Sequence, residues 1–391
     1  MKQIAQKIRD NISGRRWRDW RWQLANRLAD VSQITAFLNL PPGQRAALGE
    51  VAEYYPFCVT PYYFSLCNPY DVRDPIRRQF MPDRRELLDG NTLCDPLNEE
   101  KYSPVPGLIH RYRNRVVVIV TTDCAVRCRH CTRKNTLSSF VCPASGQLEK
   151  VWQGVSACPQ CYAQRCRRAE PSDGERLTQR VRPTYGGRCP VGAHYLIAHR
   201  LPAILKYIRR YPQVREVLVS GGDPLLLETP ALDKIMGELT AIKHVEVLRI
   251  GTRAPVVLPM RIDAELCACL AEHRPLWINT QFNHPREITR DAVQACRQLQ
   301  EAGLPVSNQT VLLRGINDSA VVLAKLFNEL QRIMVRPYYV FQCDPVRGVK
   351  HFMTPLSAGA KLSRRLRDEL GGLSMPLFVA DLPGRKSKVP L

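Results

Sequence analysis

Three cysteines crowd into a short loop that follows a predicted strand. Cys124, Cys128 and Cys131 are separated by three and then two residues, directly after the β-rich run 116–121. This tight spacing lets three thiolates converge on one iron–sulfur cluster and leaves its fourth iron without a protein ligand. A zinc knuckle is the alternative, but such sites normally close with a fourth ligand nearby. The loop therefore predicts a cluster whose open iron can bind an external molecule.

A second group of cysteines lies in a stretch that interrupts the strand and helix pattern. The chain holds 15 cysteines, and a cytosolic protein would not normally keep them as disulfides. Residues 141–194 contain Cys158, Cys161, Cys166, Cys189 and His194. A Cys-x-x-Cys knuckle with a distant Cys and His resembles a zinc ribbon. We predict an inserted subdomain in which zinc is bound by Cys158, Cys161 and Cys189, with Cys166 or His194 as the fourth ligand. Free thiols and an auxiliary iron–sulfur cluster remain the alternatives.

The elements that must position the cysteine loop alternate between strands and helices. From residue 115 onward, short β-rich runs are separated by longer helical stretches, as in a parallel α/β sheet or barrel. The predicted strands cover residues 116–121, 216–219, 246–250, 277–280, 306–312, 338–341 and 377–380. The predicted helices cover residues 201–211, 231–242, 263–273, 291–302 and 320–334. In such folds the carboxyl ends of the strands hold the active site.

The N-terminal part of the chain has the pattern of helices and loops. Trp17, Trp20, Leu24 and Leu28 stand at helical spacing among many arginines. We predict that this stripe packs on the main domain, with a surface that stacks nucleic-acid bases as the alternative. Frequent Pro, Asn and Asp between residues 61 and 107 predict loops and short helices. The predicted organisation is an N-terminal region, a barrel domain and a Cys-rich insertion, over residues 1–110, 111–391 and 141–194.

The composition describes a folded protein with a basic surface. The 391 residues are 45% hydrophobic and 24% charged, which is enough for one sizeable core or two modest ones. The formal charge of +21 favours anionic partners but does not choose among phosphate cofactors, nucleic acid and membrane headgroups. The apolar runs are far shorter than the roughly 20 residues of a membrane helix, and residues 1–10 are too polar for a secretory signal. We therefore expect a cytoplasmic protein with no membrane partner.

The cysteine loop resembles that of the radical S-adenosylmethionine enzymes, and its surroundings narrow the resemblance to the lysine 2,3-aminomutase family. The matching segments are residues 60–63, 103–112, 128–133, 220–223, 249–253, 282–285, 313–318 and 336–339. The resemblance implies an α/β fold, a partial TIM-like (β/α) barrel with a [4Fe-4S] cluster at its mouth. S-adenosylmethionine would chelate the open iron, and reduction by a flavodoxin or ferredoxin would release a 5′-deoxyadenosyl radical.

The turn after the second predicted strand of the barrel matches the family as well. Gly221, Gly222 and Asp223 resemble the glycine-rich turn that meets the methionine moiety of S-adenosylmethionine. Small residues at such a turn let backbone groups approach closely. The resemblance therefore implies that these residues belong to the cofactor site.

The family also uses pyridoxal 5′-phosphate, and the resemblance assigns residues to it. Lys388 matches the lysine that holds the aldehyde of this cofactor, and Lys386 is the weaker candidate. Arg111, Arg115 and Arg253 resemble family arginines around the cofactor. Guanidinium groups can neutralise its phosphate by bidentate contacts.

The resemblance extends to the residues that choose the substrate. Arg133 resembles the arginine that binds the substrate carboxylate, where a planar fork suits a planar anion. Asp318 and Asp381 resemble the two carboxylates that receive the distal ammonium of lysine, although Asp318 can also cap a helix. Two neighbouring acids repel each other until a cation arrives, which selects a basic amino acid and disfavours glutamate.

The resemblance implies an isomerase, a 2,3-aminomutase that moves the α-amino group of L-lysine to the β-carbon. Arginine also carries a distal cation, so the same reaction on arginine stays open, as does β-lysine supply for modification of a translation factor. An RNA-acting radical enzyme and a metal-binding interaction protein are the rivals from other classes. A nucleic-acid partner is not expected, because Lys388 and the two aspartates have no evident use on RNA. A homo-oligomer remains an open alternative to a monomer.

Overall fold

The described part of the chain forms a curved sheet with helices packed on its outer face. The computed structural model describes residues 12–35, 37–38, 40–89, 92–135, 193–385 and 387–391. Among these residues, no helix is both long enough and apolar enough to cross a membrane.

The sheet follows the chain from one edge to the other. Its strands are β1 (Leu108–Tyr112), β2 (Arg115–Thr121), β3 (Glu216–Gly221), β4 (Val247–Gly251), β5 (Leu276–Thr280), β6 (Val306–Leu312), β7 (Arg336–Gln342), β8 (Leu377–Ala380) and β9 (Val389–Pro390). The spatial order is β1 to β9, with parallel pairing from β2 to β8 and antiparallel pairing at both ends. This parallel sheet, wound by helices, confirms the α/β partial barrel.

Helices precede the sheet and connect its parallel strands. The N-terminal helices are α1 (Gly14–Trp17), α2 (Trp20–Ala25), α3 (Val31–Thr35), α4 (Pro42–Tyr54), α5 (Pro61–Ser65) and α6 (Arg77–Phe80). The later helices are α7 (Ala193–Arg210), α8 (Thr229–Thr240), α9 (Ala254–Val257), α10 (Ala264–Ala271), α11 (Arg290–Glu301), α12 (Ala320–Arg332) and α13 (Leu356–Glu369). All seven predicted strands and all five predicted helices are present, with small shifts at their ends. The sequence prediction missed the edge strands β1 and β9 and the helix α13.

Side chains alternate between the two faces of the sheet, as the strand pleat requires. On β3, Val217 and Val219 are fully buried in the main hydrophobic core, together with residues of the outer helices. Their neighbours Leu218 and Ser220 line a cavity on the inner face. The outer face of the sheet therefore supplies stability, and the inner face is available for chemistry.

The N-terminal helices pack on the main domain, as the Trp-rich stripe predicted. Trp17 and Trp20 are 6% exposed and belong to the main hydrophobic core. The guanidinium carbon of Arg261 lies 4.6 Å from the ring centre of Trp20. Because both rings are covered by the protein, they offer no surface on which nucleic-acid bases could stack.

Candidate active site

The carboxyl ends of the parallel strands surround a cavity of about 480 Å³. Most of the site residues predicted from the sequence line it, namely Arg111, Arg115, Cys124, Cys128, Cys131, Arg133, Gly221, Gly222, Asp223, Arg253, Asp381 and Lys388. Among the described candidates, Asp318 alone lies elsewhere. The cysteine loop and the predicted cofactor lysine therefore share one cavity.

Hydrogen bonds from the N-terminal region hold the cysteine loop in place. One guanidinium nitrogen of Arg27 donates to the Asp123 carboxylate at 2.7 Å and to the Cys124 carbonyl at 2.6 Å. The amide of Arg129 donates to the Gln79 carbonyl at 2.8 Å. The residues before the barrel thus form one wall of the loop that carries the three thiols.

A buried ion cluster supports the loop from behind. The Glu86 carboxylate is fully buried and pairs with Arg129 and with the Lys134 ammonium, which lies 2.5 Å away. Burial lowers the pKa of Lys134 to about 8, although the Glu86 charge opposes the shift. A buried pair of this kind costs desolvation energy, so we interpret it as fixing the position of the loop.

The three thiols of the loop line one cavity and influence one another electrostatically. Burial raises the pKa of Cys131 to about 11, and the neighbouring Cys128 thiolate raises it further. Burial also raises the pKa of Cys124, with added contributions from Cys131 and Cys128. Three thiolates in one loop repel one another, and iron ions would neutralise them. The donor set therefore fits the [4Fe-4S] cluster expected from the sequence.

Gly221 and Gly222 make room for the cysteine loop itself. A Cβ atom on Gly221, whose φ is +138°, would lie 2.2 Å from the Thr121 carbonyl oxygen. A Cβ atom on Gly222 would lie 2.0 Å from the Asp123 carbonyl oxygen. The end of β3 can approach the loop only because both residues lack a side chain. This contact gives the glycine pair a role in positioning the cysteines.

Asp223 joins the ends of two strands. Its buried carboxylate accepts from the Thr252 hydroxyl at 2.6 Å, from the Arg253 amide at 2.8 Å and from the Leu225 amide at 3.1 Å. Burial raises the pKa of Asp223 despite these hydrogen bonds. In this structure the carboxylate is thus engaged by its own chain, where the sequence predicted a cofactor contact.

Arg253 lies at the cysteine loop. Its guanidinium donates to the Cys128 thiol at 2.8 Å and to the Glu287 carboxylate at 2.6 Å. Arg253 also lines the cavity that Arg111, Arg115 and Lys388 line, and its part in a phosphate site stays a prediction.

Lys388 lines the same cavity in an ion cluster with Asp381, and we call this part of the cavity the lysine end and the part around the three cysteines the cysteine end. The Lys388 ammonium is 2.9 Å from one Asp381 oxygen, and Arg111 donates to the other at 2.8 Å. The Tyr112 hydroxyl donates to the same carboxylate at 3.2 Å. Burial would raise the pKa of Asp381, but the charges of Lys388 and Arg111 outweigh it and hold the pKa below its usual value. The Lys388 amine and the Asp381 carboxylate are thus held in contact in the cavity.

Guanidinium groups near Lys388 have donors to spare for an anion. The buried Nε atoms of Arg111 and Arg249 have no hydrogen-bond partner. Arg115 lies over the Tyr112 ring at 4.2 Å, and the charges of Arg115 and Arg249 both act on the Tyr339 hydroxyl. Buried donors without partners are costly, and a phosphate would satisfy them. Arg249 was not predicted from the sequence as a site residue, although it lies in β4, two residues before the glycine at the end of that strand.

Arg133 already binds a carboxylate of the protein. Its Nε and Nη2 atoms donate to the two Glu99 oxygens at 2.9 and 2.8 Å. This planar two-point contact is the one expected for a substrate carboxylate. Glu99 also lines the cavity and was missed, because it lies in a loop without periodic pattern. A substrate that uses this fork must therefore displace or share Glu99.

Asp318 does not line the cavity, and Asp344, which the sequence did not suggest, does. Asp318 is exposed and accepts from the Gly315 amide of a turn at 2.7 Å, while Ser319 is the N-cap of α12, so Asp318 does not cap that helix. Asp344 instead lines the cavity, directly after β7, and accepts from the Thr132 hydroxyl at 2.9 Å. Burial raises the pKa of Asp344 to about 6, and the Asp381 charge adds to the shift. Its place after a strand was the signal that could have identified it.

Several candidates lie outside the described residues. These are Lys386, Cys158, Cys161, Cys166 and Cys189. For His194 the structure describes only the backbone, within α7. The zinc ribbon of the insertion therefore stays a prediction.

A separate group of metal-ligating side chains lies between α8 and α10. The Asp233 carboxylate is 2.7 Å from the His273 ring and 3.7 Å from the Cys269 sulfur. None of the three residues lines the cavity. The ion pair between Asp233 and His273 links the two outer helices, and we assign the group this structural role.

Comparisons with known proteins agree with the cysteine loop and extend over the whole chain. The Radical SAM superfamily matches residues 118–327. The L-lysine 2,3-aminomutase of Fusobacterium nucleatum is 39% identical over 382 residues, which are 97% of this chain and 78% of that protein. The enzyme of the same name from Clostridium subterminale is also 39% identical, over 97% of this chain and 79% of its own length. A glutamate 2,3-aminomutase from Clostridioides difficile is 33% identical, over 99% of this chain and 80% of its length.

Proposed function

The chain belongs to the lysine 2,3-aminomutase family of the radical SAM superfamily, and from this premise we propose that it converts L-lysine to β-lysine. The family makes the protein a radical SAM aminomutase, an isomerase that uses a [4Fe-4S] cluster and S-adenosylmethionine. The observation that carries the finer proposal is one cavity lined by the cysteine loop, by Lys388 and by the carboxylates of Asp344 and Asp381. These residue types match a radical initiator, a carbonyl cofactor and a basic substrate.

We propose that Lys388 holds pyridoxal 5′-phosphate through its Nζ atom. When bound, this cofactor supplies a carbonyl carbon and a conjugated ring that can stabilise an unpaired electron near the migrating nitrogen. Asp381 accepts the Nζ proton at 2.9 Å, so it orients the amine and can hold its proton. Tyr112 and Phe341 flank the ammonium, with ring centres at 5.6 and 5.0 Å, and limit its movement.

Phosphate binding falls to the arginines at the same end of the cavity. The unpaired Nε atoms of Arg111 and Arg249 and the nearby guanidinium of Arg115 supply charge and donors. Arg249 joins this set, and Arg253, which donates to Cys128, stays a predicted member of it. A rigid guanidinium fork suits a phosphate better than an ammonium does.

Substrate choice follows from the opposed charges of the cavity. Arg133 would take the substrate carboxylate in place of Glu99. Asp344 and Asp381 would receive a distal ammonium, and that cation would offset the burial and the Asp381 charge that raise the pKa of Asp344. A glutamate side chain would meet the same acids and be repelled. Arginine carries a distal cation too, so the experiment must separate it from lysine.

The proposal is tested by anaerobic reconstitution of the full chain with iron, sulfide and pyridoxal phosphate. S-adenosylmethionine and a reductant are added, and lysine, arginine and glutamate are supplied in separate reactions. We expect the β-isomer from lysine alone, separated by chromatography and identified by mass spectrometry. A β-isomer from arginine or glutamate alone would overturn the substrate assignment. Deoxyadenosine without any isomer would overturn the aminomutase proposal.

The setting of the reaction is part of the proposal. We propose a cytoplasmic enzyme whose cluster receives its electron from a flavodoxin or ferredoxin. A homo-oligomer, zinc in the insertion and β-lysine supply for a translation factor remain predictions. Co-purification of zinc with the full chain, and its loss on Cys158→Ser, would test the second of these.

A further inference from the structure

The cysteine loop receives a hydrogen bond from a buried positive charge. Arg253 follows β4 and is only 7% exposed. Its Nη1 atom donates to the sulfur of Cys128 at 2.8 Å. Arg129 lies in the same loop, but its guanidinium donates to the Glu86 carboxylate and to the carbonyls of Tyr55 and Pro56.

A network behind Arg253 holds the guanidinium in this position. The Nη2 atom donates to the Glu287 carboxylate and to the Gln79 amide oxygen, each at 2.6 Å. The Tyr63 hydroxyl donates to the same Glu287 oxygen at 2.6 Å. The amide of Asn283 donates to the second Glu287 oxygen at 2.6 Å. With these partners Arg253 cannot turn away from Cys128 without breaking several buried hydrogen bonds.

The network also keeps Arg253 charged. A guanidinium keeps its proton throughout the ordinary pH range, and the Glu287 carboxylate lies 2.6 Å from the Nη2 atom of Arg253. Glu287 is fully buried and carries the compensating negative charge. A buried ion pair of this kind is a poor source of stability, because desolvation offsets much of the attraction. Its orientation toward the thiol therefore requires another explanation.

We propose that Arg253 is a positioning residue that raises the reduction potential of the cluster through its hydrogen bond to Cys128. Reduction adds an electron to a cluster already surrounded by thiolates. A cationic donor on a ligand sulfur stabilises the added negative charge, and hydrogen bonds to ligand sulfurs are among the features that set cluster potentials. The proposal concerns the cluster alone and does not depend on the substrate or on Lys388.

The test is the reduction potential of the reconstituted full-length protein, measured by redox titration with electron paramagnetic resonance detection. S-adenosylmethionine and substrate are left out, so the readout is independent of catalysis. Arg253→Gln removes the charge, and we expect its cluster to have a lower potential than the wild type. Arg253→Lys keeps a charge but loses the planar fork, and we expect a smaller shift in the same direction.

The matched control is Arg261→Lys. Arg261 is also buried, and its guanidinium donates to the carbonyls of Leu225 and Leu227 and to no thiol. We expect this variant to keep the wild-type potential. The proposal fails if the cluster of Arg253→Gln has the wild-type reduction potential. It also fails if the potential of the control shifts as far as that of Arg253→Lys. If Arg253→Gln does not retain iron, Arg253→Lys decides, and a wild-type potential in that variant also overturns the proposal.

Discussion

The two ends of the cavity are built from different kinds of contact. At the cysteine end, Glu86, Arg129 and Arg253 are buried and hydrogen-bonded to their own chain. At the lysine end, Asp381 and Lys388 are partly exposed and come from the last turn of the chain. The cysteine end therefore resembles the inside of a folded core, and the lysine end resembles a binding site.

The ion pairs differ in whether a ligand can replace them. The Glu86 cluster and the Arg253 pair are almost completely buried, so a group that displaced one partner would leave a buried charge without its counterion. The pairs of Lys388 with Asp381 and of Arg133 with Glu99 face the cavity. Each brings together the charges that a cofactor or an amino acid would supply. The comparison indicates that the ion pairs behind the cysteine loop keep their partners, while the pairs that face the cavity exchange a protein partner for a cofactor or substrate group.

Removing the cofactor amine is expected to have the largest effect. Lys388→Ala should lower β-isomer formation by roughly a thousandfold or more, the scale for loss of an essential covalent group. Because the cysteine end is separate, iron content and slow cleavage of S-adenosylmethionine should be unchanged. Lys388→Arg is the matched control for charge, and it should lose activity equally while keeping the pair with Asp381. Isomerisation by either variant would contradict the assignment.

The buried ion cluster is expected to show the next largest effect, on stability. Glu86→Gln leaves Arg129 and Lys134 without their counterion, and should lower the free energy of unfolding by roughly 3 to 5 kcal/mol. Chemical denaturation of the full chain measures this change. Glu50→Gln is the control, because its pair with Arg84 is exposed and 3.9 Å long, and should change the free energy by less than about 1 kcal/mol. Equal changes in both variants would refute the contrast between the ends.

The buried Asp344 carboxylate is expected to destabilise the folded protein when it is ionised. Its pKa of about 6 lies above the usual carboxyl value, so the folded protein holds a proton between about pH 4 and pH 6 that the unfolded chain releases. The free energy of unfolding contributed by this group therefore falls as the pH rises through that window. Asp344→Asn should stabilise the protein by roughly 3 kcal/mol at pH 7.5 and have no effect below about pH 4.

The same substitution should weaken substrate binding. Asp344→Asn is expected to raise the KM for lysine, because one of the two acids that receive the distal ammonium is lost. Asp318→Asn is the matched control, since Asp318 is exposed and caps a turn, and it should leave both stability and KM unchanged. A larger KM change in the control would restore the role that the sequence first suggested for Asp318.

Glu99 should give the smallest effect. If Glu99 competes with the substrate carboxylate for Arg133, Glu99→Gln should lower the KM for lysine by roughly threefold to tenfold, the scale of one weak ion pair. Steady-state kinetics at constant S-adenosylmethionine measures it. A rise in KM would mean instead that Glu99 holds Arg133 in its binding position. A substrate carboxylate would then not replace Glu99 on Arg133.

Strand positions were predictable because their residues carry a local signal. β-Rich runs of buried residues between helical stretches gave the parallel sheet, and the sheet then placed Cys124, Arg133 and Asp381 at one edge. The antiparallel strand β9 was missed because it has only two residues, and β1 because the polar residues His110 and Arg111 break the apolar pattern of a buried strand. Local pattern cannot report a contact that only the folded chain creates.

The missed and misplaced site residues share that cause. Asp318 and Asp344 both follow strands in sequence, and only the fold shows that one points to solvent and the other to the cavity. The contact of Arg253 with Cys128 was not predicted, because the sequence gives the residue type but not the direction of its side chain. Its contact with Cys128 spans 125 residues, and no spacing rule predicts it.

The most direct test of the central claim uses lysine that carries deuterium on its β-carbon. If the cysteine loop and Lys388 serve one cavity, the radical made at the cluster must reach the substrate held at the other end. We predict deuterium in the recovered 5′-deoxyadenosine and in the β-lysine product, measured by mass spectrometry. Deoxyadenosine that forms without deuterium, together with unchanged lysine, would contradict the account.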